Sequence, residues 1–337
     1  MKKYRISLVA LLLVMALTFL TACGGNNSSS QGEQPDKQQT QQQEEKKIRV
    51  AAVFPGSIQD MGWNQSGYEA LMQLKDEGFE VSYQENVDQS QVKDVLRNYA
   101  ADGYNLVIGH DLFFTDPVIE VAPEFPDTMF GISGGAKSAS NVASVTGTNW
   151  ESAYLTGAFA GLVTKTNKVG IINASDGDIA RRMRNAFELG ARVYNPEAVA
   201  VHTFTGSWDD SVKGKELAKA MAKEGVDIIL TQSGQANVGA IEGCQEAGIL
   251  AIGAPTDLSQ IAPDTIAATA LIPPGAMLYN LAHMFADGTL KGELYVQGVK
   301  EGAEDIIIHH EVPQEIIDKV MQVRQDLVDK KVPTPEI

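Results

Sequence analysis

Cysteine is almost missing from this chain: 337 residues contain only Cys23 and Cys244. A disulfide framework is therefore excluded, and any folded part must be held by packing. Cys244 falls on an expected helix and reads as a small buried apolar residue. Positive charge is scarce too, with 27 Lys and Arg against 43 Asp and Glu and a net charge of −16. Such a field disfavours nucleic acid and anionic lipid surfaces as partners. Beyond Leu20 no apolar run is long enough to cross a bilayer as a helix. Catalytic signatures are missing as well: there is no G-x-S-x-G elbow, no H-E-x-x-H and no cysteine near a histidine. Gly56 and Gly62 fit neither a dinucleotide fingerprint nor a P-loop. His309 and His310 are neighbours in an expected strand, point to opposite faces and do not make a shared metal site. These absences argue against an enzyme, a bound cofactor and a resident metal.

What the chain does have begins at its N-terminus. Lys2, Lys3 and Arg5 precede an apolar run from Ser7 to Leu20, and Leu20-Thr21-Ala22 leads directly into Cys23. This is an export signal with a small-residue cleavage site, and it resembles the bacterial lipobox. Residues 1–22 read as a lipoprotein signal peptide, with a lipid on Cys23 anchoring the rest to the extracytoplasmic face of the cell membrane. Residues 23–47 are rich in Asn, Ser, Gln and Glu and nearly free of apolar side chains. They cannot bury enough surface to offset their ordering entropy and read as a disordered tether.

From Ile48 short β-branched runs alternate with helical patterns, the signature of parallel sheets covered on both faces. Strands are expected at 48–53, 79–83, 106–109 and 128–132, then at 169–172, 199–202, 228–230, 250–252 and 265–271. Helices are expected between them, and Gly157, Ala158, Ala160 and Gly161 of the helix at 151–164 invite close packing. Two successive α/β units predict two lobes, with the later strands at 294–299 and 305–309 marking the return crossing. The expected division is 48–155 with about 273–292 for the first lobe, and 156–272 with about 293–335 for the second.

Ligands of open α/β sheets bind beyond the carboxyl ends of the strands. The loops there hold Asp60, Trp63 and Asn64, then His110, Phe113 and Phe114, then Trp208, Gln235 and Asp257. Asp60 and Gly62 can start a helix that carries Trp63 in its first turn at the crevice. One of Phe113 and Phe114 can face the crevice while the other packs inward. Trp208 offers an aromatic from the second lobe, so two rings could clamp a planar ligand. Asn149 is a further candidate contact.

Several of these residues sit in motifs that resemble the basic membrane protein family. They are Val50-Ala51-Ala52-Val53, Asp60-Met61-Gly62-Trp63-Asn64-Gln65, Asp116-Pro117 before Phe125-Pro126, Glu151 to Gly157, and Gly225-Val226-Asp227-Ile228-Ile229. Members of that family include lipoproteins similar to the purine nucleoside receptor, the substrate-binding parts of ABC importers. The resemblance implies a two-lobe, type I periplasmic-binding-protein fold that acts as a monomer, binds a small-molecule ligand in the hinge crevice and docks on ABC permease subunits. It also implies that Trp63 and Phe113 or Phe114 flank a purine, that Asn64 reads the base and that Asp257 holds the ribose. Trp63 stands where many members have a smaller or different aromatic, and Gln235 lies in a stretch that is Gly-rich in theirs. That departure points toward a free nucleobase or another small planar ligand.

Overall fold

The computed structural model describes Lys47 to Ile337 apart from Met61. The expected signal peptide, nearly all of the tether and Cys23 lie outside the described residues. The chain runs through β1 (Arg49–Val53), α1 (Trp63–Asp76), β2 (Glu80–Gln84), α2 (Val92–Ala101), β3 (Leu106–Gly109), α3 (Thr115–Val121), β4 (Met129–Ser133) and β5 (Val142–Gly147). It then enters α4 (Glu151–Val163), β6 (Lys168–Asn173), α5 (Asp178–Arg192), β7 (Val199–Phe204), α6 (Ser211–Lys223) and β8 (Ile228–Gln232). There follow α7 (Ala236–Ala247), β9 (Leu250–Gly253), β10 (Ile266–Leu271), α8 (Pro274–Ala286), β11 (Leu294–Gln297), β12 (Asp305–Ile308) and α9 (Gln314–Val328).

These strands form two six-stranded sheets, ordered β11-β5-β4-β3-β1-β2 and β12-β10-β9-β8-β6-β7. Every pairing between the named strands is parallel except β10 with β12. Central strands are buried along their length, as in Ala51–Val53 and Leu106–Ile108, which is why they read as apolar runs rather than alternations. Helices cover both faces of each sheet. Leu71 and Leu74 of α1 pack with Leu278 and Leu281 of α8 on one face of the first, and Val95 and Leu96 of α2 with Val118 of α3 on the other. Burying a leucine fully is worth roughly 1.5–3 kcal/mol.

The small residues of α4 serve as expected. A Cβ at Gly157 would collide with the Phe187 carbonyl, and one at Gly161 with that of Ala191. The backbones of α4 and α5 therefore touch where only glycine fits. Cys244 of α7 is buried, and burial pushes its thiol up to about 12.

Two boundaries differ from the sequence-based expectation. The whole of α4 packs with α5 and α9 in the core of the second lobe, so the first crossing falls at Thr148–Trp150 instead of beyond 155. β11 pairs with β5 in the first sheet, so 294–297 belong to the first lobe and not the second. A strand's own residues do not state which sheet accepts it, whereas α8, already docked on α1, delivers β11 to the first sheet's open edge. β5 was also not anticipated, because small residues in Val142-Ala143-Ser144-Val145 blur its pattern.

Three segments cross between the lobes. The first and third are stitched by two carboxylates, one buried and one half-buried. Glu304 accepts from Thr148 Oγ1 at 2.6 Å, Asn149 N at 2.5 Å and Ser152 N at 3.0 Å. In return Glu151 accepts from Val299 N at 2.6 Å. Burial pushes both carboxyls above the usual range, against the donors that favour their ionised forms.

Candidate functional site

At the carboxyl end of the first sheet the chain builds a self-tied wall. Asp60 precedes α1 and accepts from Gly62 N, Asn64 N and Gln65 N at 2.9–3.0 Å, and from Asn64 Nδ2 at 2.7 Å. These donors include N–H groups that the first turn of a helix leaves unpaired, so Asp60 caps α1 and complements its dipole. Burial raises the Asp60 pKa, but the N–H groups of Gln65, Asn64 and Gly62 outweigh it and hold the carboxyl below its ordinary range. Asn64 is buried, with Oδ1 on the Gly56 N–H at 3.4 Å and Nδ2 on Asp60. Both residues expected to address a ligand are thus committed to shaping the loop.

Trp63 opens α1 as expected and is half-buried. Its Nε1–H donates to the His110 carbonyl at 2.8 Å, and His110 Nε2–H donates back to the Trp63 carbonyl at 3.1 Å. The donor role of Nε2 follows because a carbonyl only accepts. The two rings lie 5.2 Å apart, and the indole's far edge approaches Gly134 at the end of β4. Trp63 therefore bridges the loops after β1, β3 and β4.

His110 corrects an expectation. It is fully buried, edge-on to Phe54 at 5.3 Å, and so is not a crevice contact. Burial holds its pKa down at about 4, with the Trp63 carbonyl pulling the other way, so the ring is neutral at pH 7. Its Nδ1 finds no donor among the described residues.

The neighbouring pair splits as expected: Phe113 is 70% exposed and Phe114 is buried in the core beneath α3. The Asp111 side chain accepts from Phe113 N at 2.7 Å and fixes that turn. Phe114 is thereby taken into the core, and Phe113 is the ring that this loop leaves exposed.

The second lobe presents its loops differently. Trp208 is 58% exposed and lies against Gly234, while its carbonyl accepts from Ala236 N at 3.0 Å. Phe204 at the end of β7 is exposed beside it in sequence and had no individual role in the sequence reading. Gln235 stands exposed at the N-terminus of α7. Asn237, by contrast, is buried and ties Ser233 to the Ala254 carbonyl, joining the loops after β8 and β9. Asp257 is part-exposed, accepts from Ser259 N at 2.8 Å and lies 3.5 Å from His309 Nε2. Burial raises its pKa, but Ser259 and His309 outweigh that and lower it, so it is an ionised acceptor.

Asn149 is corrected to a hinge residue. Its φ is +62°, its N–H goes to Glu304 and its side chain donates to the Gly147 carbonyl at 3.0 Å. Sequence reasoning missed Glu304 and Glu151. Their partners lie about 150 positions away, and no local pattern marks such a pairing.

Each lobe thus leaves at least one aromatic exposed on its strand-end loops, Phe113 in the first and Phe204 with Trp208 in the second. The profile described as "ABC transporter substrate-binding protein PnrA-like" matches residues 47–336, and the chain belongs to that family. As such it takes a small-molecule solute and hands it to permease subunits. A purine-binding protein of Brucella abortus is 28% identical over 274 residues, covering 80% of this chain and 78% of that relative. Among solved structures, an ABC transporter solute-binding protein from Conexibacter woesei matches with TM-score 0.75 and 23% identity, over 86% of this chain and 99% of its own. A transcriptional activator of the comK gene from Bacillus halodurans matches with TM-score 0.76 and 22% identity, over 84% and 99%. The two structures establish likeness of fold. Among the described residues no helix is long and apolar enough to cross a membrane.

Proposed function

We propose that this protein is the receptor of an ABC importer for a purine nucleoside or nucleobase, held outside the cell membrane by a lipid on Cys23. The observation that carries the reading is a pair of exposed aromatics, Phe113 and Trp208, on strand-end loops of opposite lobes. Base–aromatic stacking is worth roughly 1–3 kcal/mol per ring, enough for closure around a base to be favoured by contact with both lobes. Trp63, pinned through its indole N–H, supplies a rigid wall rather than a mobile lid. The ionised Asp257 is suited to ribose hydroxyls, since a carboxylate makes strong hydrogen bonds to such donors. The purine-binding relative supports the same solute class.

A thermal-shift screen of nucleobases, nucleosides and sugars tests this, because a ligand stabilises by mass action. At least one purine is expected to raise the melting temperature while hexoses do not. A shift with sugars alone would overturn the reading. The anchor is tested separately: Cys23→Ser should release the protein from the membrane fraction.

A further inference from the structure

A cavity of about 730 Å³ lies at the hinge. Its walls come from both lobes and the crossings: Val296 of β11, Asn149 and Lys300 of the crossings, Ile179 and Arg182 of α5, and Lys330 beyond α9. No wall residue comes from the loops after β1, β3, β4, β7, β8 or β9, and neither Phe113 nor Trp208 lines it, so it is separate from the aromatic site above.

In a chain with far more acids than bases, three cations line this cavity, and among the described residues none of them forms a direct ion pair, although Lys330 lies near enough to Glu151 to favour its ionised form. The two carboxylates in the wall are already engaged. Glu151 accepts from Val299 N at 2.6 Å, and Glu301 from Gly298 N at 3.0 Å. Lys330 has a structural reason to be there, since a cation past the C-terminus of α9 complements its dipole. Arg182 has none. It stands near the N-terminus of α5, the end that repels cations, and its buried Nε–H finds no acceptor. Leaving such a donor unpaired is costly, and an oxyanion in the cavity would remove that cost. Ile179 and Val296, each about 60% exposed, add apolar wall.

We propose that this hinge cavity binds a small organic oxyanion, a phosphate or carboxylate on an apolar frame. Arg182 is its principal donor, and Lys300 and Lys330 flank it. Because the walls span both lobes and two crossings, the occupant favours one hinge angle and acts as an effector of closure. The proposal does not rest on the purine reading.

The test uses the purified protein with phenyl phosphate and benzoate as probes, at ionic strength matched with sodium chloride. At least one probe should raise the melting temperature with saturation, and the larger shift names the headgroup. Arg182→Gln should weaken that probe at least tenfold, and Lys300→Gln or Lys330→Gln less. Arg182→Lys, which keeps the charge but loses the fork, should also bind worse and serves if the glutamine variant does not fold. A rise no larger than chloride produces, or equal affinity in the Arg182 variants, would overturn the site.

Discussion

The two lobes present their strand-end loops in opposite ways. In the first, Asp60, Asn64, Trp63 and His110, apart from the buried His110 Nδ1, spend their polar atoms on one another and on backbone, leaving Phe113 as the exposed ring. In the second, Trp208 and Gln235 stand free, while the internal tie is made lower down by buried Asn237. The comparison separates residues that make a wall rigid from residues left free to meet a solute. Preorganisation in the first lobe spares a ligand the cost of ordering that wall. The second lobe's exposed ring gives a ligand something to gain by drawing the lobes together.

The largest effect should come from breaking the first wall at its most crowded point. A Cβ at Gly67 would lie 2.5 Å from His110 Nε2 and 2.8 Å from Phe54. Gly67→Ala should therefore destabilise by about 3 kcal/mol, measured by urea unfolding.

Acid should attack the same wall. The His110 pKa is held at about 4 in the fold, below its ordinary 6.5. Its contribution is thus fully present above pH 6.5 and is lost as pH falls through 4, an effect on the order of 3 kcal/mol. Stability profiles of wild type and His110→Gln should converge across that window, with the variant less sensitive to acid.

Asp60→Ala removes the cap of α1 and should cost about 2 kcal/mol, again by urea unfolding. Asp60→Asn should recover part of it. At the small end, Phe113→Ala and Trp208→Ala should change stability by no more than about 0.5 kcal/mol, as exposed side chains do. A large loss in either would mean that the two lobes do not differ in the way described.

Much of the architecture was legible in the chain. Buried parallel strands write continuous apolar runs, and the helices expected between them are found there, α7 ending on Gly248 and α8 starting at Pro274. The helix start at Trp63 and the split of Phe113 from Phe114 also follow from local chemistry. Long-range commitments were not legible. Asn64 and His110 look like ligand contacts in a one-dimensional reading because amides and imidazoles at strand ends commonly are. Only packing shows that Asp60 and Trp63 consume them. The same holds for Asn149, whose N–H is taken by Glu304 from the far end of the chain, and for β11, whose sheet is chosen by α8.

Whether an exposed ring from each lobe grips a purine is decided by calorimetric titration. Wild type and the Phe113→Ala/Trp208→Ala double variant would each be titrated with adenosine, guanosine, inosine, adenine and guanine. Wild type should bind at least one of these, and a double variant of unchanged stability should bind it at least tenfold more weakly. Equal affinity in both proteins, or no purine bound by either, would contradict this expectation.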